Sequence, residues 1–375
     1  MKKIKFNKVD FQGNEIEYIK ETINSNRISG DGNFTKKCNE FIEKSLNVNK
    51  AILTTSCTHA LEMSALLLNI KPGDEVILSP FTFVSTANAF MLRGAIPIFV
   101  DIRPDTLNID EKKIEPLITS RTKVIIVVHY AGVGCEMNEI IKLANKYDID
   151  LVEDNAHGFF GKYQDTYLGS FGTFSTLSFH ETKNFSCGEG GALIINDPKY
   201  IERAEIIREK GTNRSKFLRG EIDKYSWVDI GSSFLPSEIL AAYLYAQFEQ
   251  KEKIQSNRKK IWNFYYKNLK DWAKNNSIQL PIIPDNCQHP YHIFYLIMRT
   301  NSSRNDLIEH LRIKGIPATF HFLPLHKSKM GIQLNCNKSN CPISEDMSLR
   351  ILRLPIHNGL KTDLININHF FDFKF

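Results

Sequence analysis

Apolar positions in the first two thirds of the chain fall in short blocks separated by stretches of helical spacing. The blocks Ala51–Leu53, Glu75–Leu78, Ile96–Val100, Lys123–His129, Asp150–Glu153, Phe174–Phe179 and Ala192–Ile195 read as seven strands. Helical periodicity covers Thr58–Ile70, Ser85–Arg93, Glu111–Ile118, Glu136–Tyr147 and Lys199–Lys210. Lys123–His129 is an almost unbroken β-branched run, the signature of a strand buried on both faces. Strands alternating with helices require crossover connections, which predicts an α/β domain on a mostly parallel seven-stranded sheet. Such a sheet binds ligands beyond the carboxyl ends of its strands.

The rhythm changes at Pro236. Ser237 stands where it could cap one long helix running through Ala241, Tyr245, Phe248, Ile254 and Ile261 to about Leu269, long enough to bridge two domains. A strand over Tyr291–Met298 and helices over Ser303–Lys314 and Ile343–Leu352 follow. The pattern predicts a large domain over residues 1–245 and a smaller α+β domain over 246–375, with the N-terminal segment packing against the smaller one.

At 375 residues, 42% hydrophobic and 24% charged, the chain has apolar material for both domains. Its net charge of +6 is modest and dispersed, with only short clusters such as Arg258-Lys259-Lys260. That argues against nucleic acid as a partner and suits an anionic small substrate. The basic opening Met1-Lys2-Lys3-Ile4-Lys5-Phe6-Asn7 is followed by no apolar run, and no stretch approaches a membrane span, so neither a signal peptide nor membrane insertion is expected. Seven scattered cysteines suggest a reduced, cytoplasmic protein. Cys336 and Cys341 lack a companion pair at zinc spacing, so no metal is expected. No G-x-G-x-x-G follows the first strand, which argues against a dinucleotide site.

Four segments at predicted strand ends carry candidate chemistry. Lys183 follows a predicted buried strand and precedes Gly188-Glu189-Gly190-Gly191; a desolvated lysine amine is nucleophilic toward an aldehyde. A solvated loop lysine beside an ordinary turn accounts for that segment equally well. Asp154, in Glu153-Asp154-Asn155-Ala156-His157, could pair with a protonated pyridine nitrogen, with His157 near a ring hydroxyl; an N-cap aspartate beside a surface histidine is the alternative. Thr55-Ser56-Cys57-Thr58 could hold a phosphate on a helix start or simply cap it. Phe83 could stack on a cofactor ring or belong to the core.

With these residues in view, the chain resembles the DegT/DnrJ/EryC1/StrS family of sugar aminotransferases, from Ser29-Gly30-Asp31-Gly32 to Arg353-Leu354-Pro355. Pro72–Ile77, Pro80–Ala89, Gly94–Asp101, Glu153-Asp154, and Ser178–Asn184 with Gly188–Gly191 carry the likeness. The resemblance implies the fold-type I architecture and pyridoxal 5′-phosphate (PLP) as cofactor. By position, Lys183 matches the Schiff-base lysine and general acid–base, Asp154 the partner of the pyridine nitrogen, and His157 the contact to the ring oxygen. Phe83 matches the stacking aromatic; Cys57, Thr58 and Ser178 match phosphate ligands.

Four runs, Phe81–Phe90, Ser178–Asn184, Asp229–Ser233 and Phe320–His326, resemble a subgroup that moves an amino group from L-glutamate to C4 of dTDP-4-keto-6-deoxy-D-glucose for surface-glycan synthesis. The third run has Gly-Ser-Ser where the wider family carries an asparagine that reaches the neighbouring subunit's phosphate, so Ser232 or Ser233 is expected to replace that contact. The family also implies a homodimer or larger assembly with shared active sites. Candidates for the substrate by the same resemblance are Arg214, Arg219, His321 and His326. A C3-aminotransferase shares these residues, a sugar 3-dehydratase of the family carries histidine in place of the lysine, and a non-catalytic relative is the remaining alternative.

Overall fold

The computed structural model describes residues 4–374, so the opening Met1-Lys2-Lys3 lies outside the described residues. The strands in chain order are β1 (Lys50–Thr54), β2 (Glu75–Leu78), β3 (Ile96–Phe99), β4 (Thr122–Val128), β5 (Asp150–Asp154), β6 (Lys162–Tyr163), β7 (Thr166–Tyr167), β8 (Phe174–Ser178), β9 (Gly191–Ile195), β10 (Cys287–Gln288), β11 (Phe294–Ile297) and β12 (Ile351–Leu354). Seven of them form one sheet in the order β1-β9-β8-β5-β4-β2-β3. Only β9 runs against its neighbours, pairing antiparallel with β1 and β8. The expected α/β architecture on a mostly parallel seven-stranded sheet is thereby present.

The continuous apolar runs follow from helices on both faces. Val124 and Ile126 of β4 face a core shared with the helices Cys57–Leu67, Val84–Met91 and Ile201–Arg208. Ile125 and Val127 face the opposite way, against the helix Met137–Tyr147. Further along the sheet on that second side, Leu53, Leu177 and Ile194 pack on the helices Asn33–Leu46 and Glu238–Glu249. From Val124 onward both faces of β4 are buried, so neither alternates with polar residues.

A second core forms around Trp262, Tyr265 and Leu269 of the helix Lys251–Asn275, the β11–β12 ribbon and the helix Asn301–Ile313. Ile4 packs into the same core. The two bodies interlock: β10 pairs with β6, and Cys336 and Cys341 lie buried in the core beneath the large sheet.

Several expectations are corrected. The single long helix is two, Glu238–Glu249 and Lys251–Asn275, broken at Gln250 (φ −96°, ψ 18°). The first buries its side chains in the large-domain core and the second in the smaller one, so the axis must turn between them. Ser237 makes no side-chain cap bond. Its neighbour Glu238 instead caps a different helix, accepting the N–H groups of Gly32, Phe34 and Thr35 at 2.8–3.0 Å together with the Thr35 hydroxyl. Glu111–Ile118 is not an α-helix but two 3₁₀ turns, because Pro116 supplies no N–H to an α ladder. The helix expected over Ile343–Leu352 spans Pro342–Arg350, and Ile351 and Leu352 already pair with β11. The helices Glu15–Asn24 and Asn33–Leu46 are additional to the predicted elements, although Phe34, Cys38, Ile42 and Leu46 of the second bury one face at helical spacing.

Glu153 anchors the carboxyl end of the central strand. Buried at 0% exposure, it accepts the N–H groups of Gly169, Phe171 and Gly172 at 2.7–2.8 Å and His129 Nε2–H at 2.9 Å. His129 is held as that donor because its Nδ1 accepts from the Cys135 N–H at 3.2 Å. A glutamine there turns an N–H₂ toward backbone donors. Glu153→Gln is therefore expected to lower unfolding free energy by about 3 kcal/mol, measured by urea denaturation; an unchanged midpoint would contradict this anchoring role.

Candidate active site

Side chains alternate along a strand, so Glu153 and Asp154 face opposite ways. Glu153 faces the loop it grips, and Asp154 faces a cavity of about 530 Å³ at the carboxyl end of the sheet. The cavity is walled on one side by the large domain and on the other by His292, Ile293, His321, Phe322 and Arg353 of the second body.

The start of the helix Cys57–Leu67 points into this cavity. Ser56 caps it, accepting the His59 N–H at 3.1 Å. The N–H groups of Cys57 and Thr58 are among those that a helix's own ladder leaves free, and the helix dipole favours an anion there. Thr58 donates its hydroxyl to Ser85 at 2.7 Å. Gly191 passes so close behind that a Cβ there would lie 2.4 Å from the Cys57 nitrogen, so only glycine admits the helix start at this depth. Ser178, at the end of β8, lines the same corner. Burial pushes the Cys57 thiol up to about 12, which keeps it neutral.

Asp154 accepts the Thr86 hydroxyl at 2.7 Å on one oxygen and the Ala156 N–H at 3.2 Å on the other. Thr86 is linked to Thr82 at 2.8 Å, so a relay of two hydroxyls one helical turn apart orients the acid. Lys183 lines the cavity, and burial holds its amine below the usual lysine value, with Asp154 opposing and Arg353 adding to the effect. The next residue fixes the loop: Asn184 donates to the Pro290 carbonyl at 2.7 Å and accepts from His292 Nδ1 at 2.8 Å. The lysine is thus tied to both bodies.

Three imidazoles share the wall. The rings of His157 and His292 are 4.6 Å apart, and His321 lies 6.1 Å from His157 with its Nδ1 2.7 Å from the Tyr130 hydroxyl. Burial first, with the nearby Lys183 and Arg353 charges, holds all three well below the ordinary histidine value, so they are neutral at pH 7. His157 Nδ1 is buried without a hydrogen-bond partner.

The geometry brings together Cys57, Thr58, Phe83, Asp154, His157, Ser178, Lys183 and His321. Phe83 is 60% exposed at the cavity's edge. The chain does not bring the other candidates there. Arg214 is paired with Glu209, and Arg219 with Glu205 and Glu221. His326 is buried, bonded to Glu345 at 3.0 Å and packed against Phe99. Ser232 and Ser233 sit on a segment alongside Lys210 and Glu209, outside the lining. Sequence reasoning missed Thr86, Tyr130, His292 and Arg353. Thr82 and Thr86 had a legible signal, two hydroxyls four apart within the Phe81–Phe90 run; the others had none, because only tertiary packing brings His292 and Arg353 to the cavity and Tyr130 against His321.

The family model for the DegT/DnrJ/EryC1/StrS aminotransferases matches residues 9–368. The chain belongs to this family. It is 32% identical over 381 residues to GDP-perosamine synthase of Escherichia coli O157:H7, covering 100% of each chain. The PLP-form of Spr1654 from Streptococcus pneumoniae superposes with a TM-score of 0.90 at 25% identity, over 98% of this chain and 97% of that one. Helicobacter pylori PseC, an aminotransferase involved in the biosynthesis of pseudoaminic acid, gives 0.89 at 27% identity over 98% of each chain. The protein is a PLP-dependent aminotransferase. Its cavity fits that cofactor: a helix start with unpaired N–H groups and a hydroxyl for a phosphate, a buried acid for a ring nitrogen, an unpartnered imidazole for a ring oxygen, and a desolvated amine for the aldehyde.

Because burial lowers the Lys183 pKa, its neutral, reactive form appears at lower pH than that of a solvated lysine. Covalent capture of cofactor by the cofactor-free protein, followed by absorbance across pH, is expected to rise with a midpoint below the usual lysine value of about 10.4; a midpoint at or above it would count against the desolvated amine.

Proposed function

We propose that the enzyme transfers an amino group from L-glutamate to C4 of dTDP-4-keto-6-deoxy-D-glucose, giving dTDP-4-amino-4,6-dideoxy-D-galactose and 2-oxoglutarate. The observation that carries the reading is the enclosure of Lys183, Asp154 and the Cys57–Thr58 helix start in one cavity open to a larger ligand. The Phe81–Phe90, Ser178–Asn184, Asp229–Ser233 and Phe320–His326 runs support the choice of sugar. The full-length match to GDP-perosamine synthase favours a second reading, a GDP-linked keto sugar in the same reaction.

Bound in this cavity, PLP supplies an electron sink that lets a substrate carbon release a proton. Lys183 would hold the cofactor and, when freed, would carry that proton between the substrate carbon and the cofactor in each half-reaction. Asp154, fixed by Thr86 and the Ala156 N–H, keeps a pyridine nitrogen protonated through its negative charge. Cys57 and Thr58 N–H groups, with the Ser178 hydroxyl, hold the phosphate. His157 donates or accepts at the ring oxygen as a neutral imidazole, and Phe83 stacks on the ring.

The assembly is a homodimer or larger. Phe83, Trp227 (78% exposed) and Ile230 leave apolar surface for a second subunit near the cavity mouth and on the 211–233 segment. Ser232 and Ser233, outside the lining of their own cavity, serve the phosphate of the neighbouring one. Seven free thiols support a reducing, cytoplasmic setting. Among the described residues no helix is long and apolar enough to cross a membrane.

Incubation with glutamate and either dTDP-4-keto-6-deoxyglucose or its GDP-linked counterpart, followed by NMR of the product, tests the reading. A 4-amino sugar of galacto configuration on dTDP is expected. A 3-amino product, or turnover of the GDP sugar alone, overturns it. Lys183→Ala is expected to lose at least about 10³-fold in turnover under the same assay, having lost both attachment and proton transfer.

A further inference from the structure

Arg353 is the feature of the cavity that the roles above leave unused. It lies on β12, whose partner β11 and neighbour Thr319 fix its backbone in an antiparallel setting, and its side chain enters the cavity that contains Lys183. Its guanidinium stacks on Phe6, 5.3 Å from the ring centroid, and its Nε is buried without a hydrogen-bond partner. Among the described residues no carboxylate pairs with it; the group that most favours its charge is the Tyr130 phenol, and burial depresses its pKa. A desolvated guanidinium without a counter-ion is costly, and its planar fork matches a carboxylate.

The position narrows what the anion is. Arg353 is close enough to Lys183, His157, His292 and His321 for its charge to be felt by all four. An amino acid carries its α-carboxylate on the same carbon as the reacting amine, so that carboxylate must sit beside the Lys183 amine. The diphosphate of a nucleotide sugar is separated from C4 by the width of the pyranose ring and belongs farther out, toward the mouth. We propose that Arg353 binds the α-carboxylate of the amino donor, with Phe6 of the N-terminal segment covering the outer face of the guanidinium. The inference rests on the aminotransferase reading and is independent of which sugar is the acceptor.

The donor half-reaction needs no sugar and isolates this role. In the cofactor-loaded protein, Arg353→Leu is expected to raise the half-saturating glutamate concentration about 10- to 100-fold, the loss of a charge-assisted pair, with Arg353→Lys in between. Calorimetric titration with 2-methylglutamate, which lacks the proton to be removed, is expected to weaken by the same factor. The wild type is expected to prefer glutamate strongly over its α-carboxamide, and Arg353→Leu to lose that preference. Retention of the cofactor absorbance in both variants shows that the fold is intact. Unchanged glutamate saturation in Arg353→Leu, or a rise confined to the sugar substrate, overturns the proposal. Absence of turnover with every nucleotide sugar would instead count against the sugar reading and leave the donor result standing.

Discussion

The site depends on one buried carboxylate that does no chemistry. Glu153 gathers three backbone N–H groups from the Gly169–Gly172 turn and the imidazole N–H of His129. A charge with no cation beside it is tolerable in a core only when donors converge on it, and here they come from two segments on either side of β5. The result is a rigid end to the central strand. Because side chains alternate, that same rigidity aims Asp154 into the cavity and leaves Thr86 and the Ala156 N–H to set its final orientation.

The cavity joins two bodies, and its electrostatics come from both. The large domain contributes the acid, the lysine and the helix start; the smaller body contributes Arg353 and two of the imidazoles. Keeping three imidazoles neutral matters, since each protonation would add a cation beside Lys183 and Arg353. Burial achieves this, and the Lys183 and Arg353 charges add to it. Asn184 links the two sources, bonding Pro290 and His292 immediately after the lysine. A shift of one body against the other would therefore disturb the lysine loop and the imidazole wall together.

The large sheet was legible because its strands are buried on both faces and read as apolar runs: all seven predicted strands exist, near their predicted positions. The break at Gln250 was not legible, because no proline or glycine marks it and only the two separate cores decide that the axis turns. Ser237 looked like a cap by residue type, yet the adjacent Glu238 takes the capping task for a helix some two hundred residues earlier. His326 carried the same resemblance as His321, but packing sends one into a core against Phe99 and the other to the cavity wall.

By itself the sequence determined the layered α/β fold and the family, and it pointed to Lys183, Asp154, His157 and the Cys57–Thr58 helix start as one group, because they follow β8, β5 and β1, whose ends meet at one edge of the sheet. It could not determine which distant groups close that edge. His292 and Arg353 meet Lys183 only because β11 and β12 fold back over the cavity. That approach is set by side-chain packing between two cores, a long-range property that no periodicity or local motif encodes.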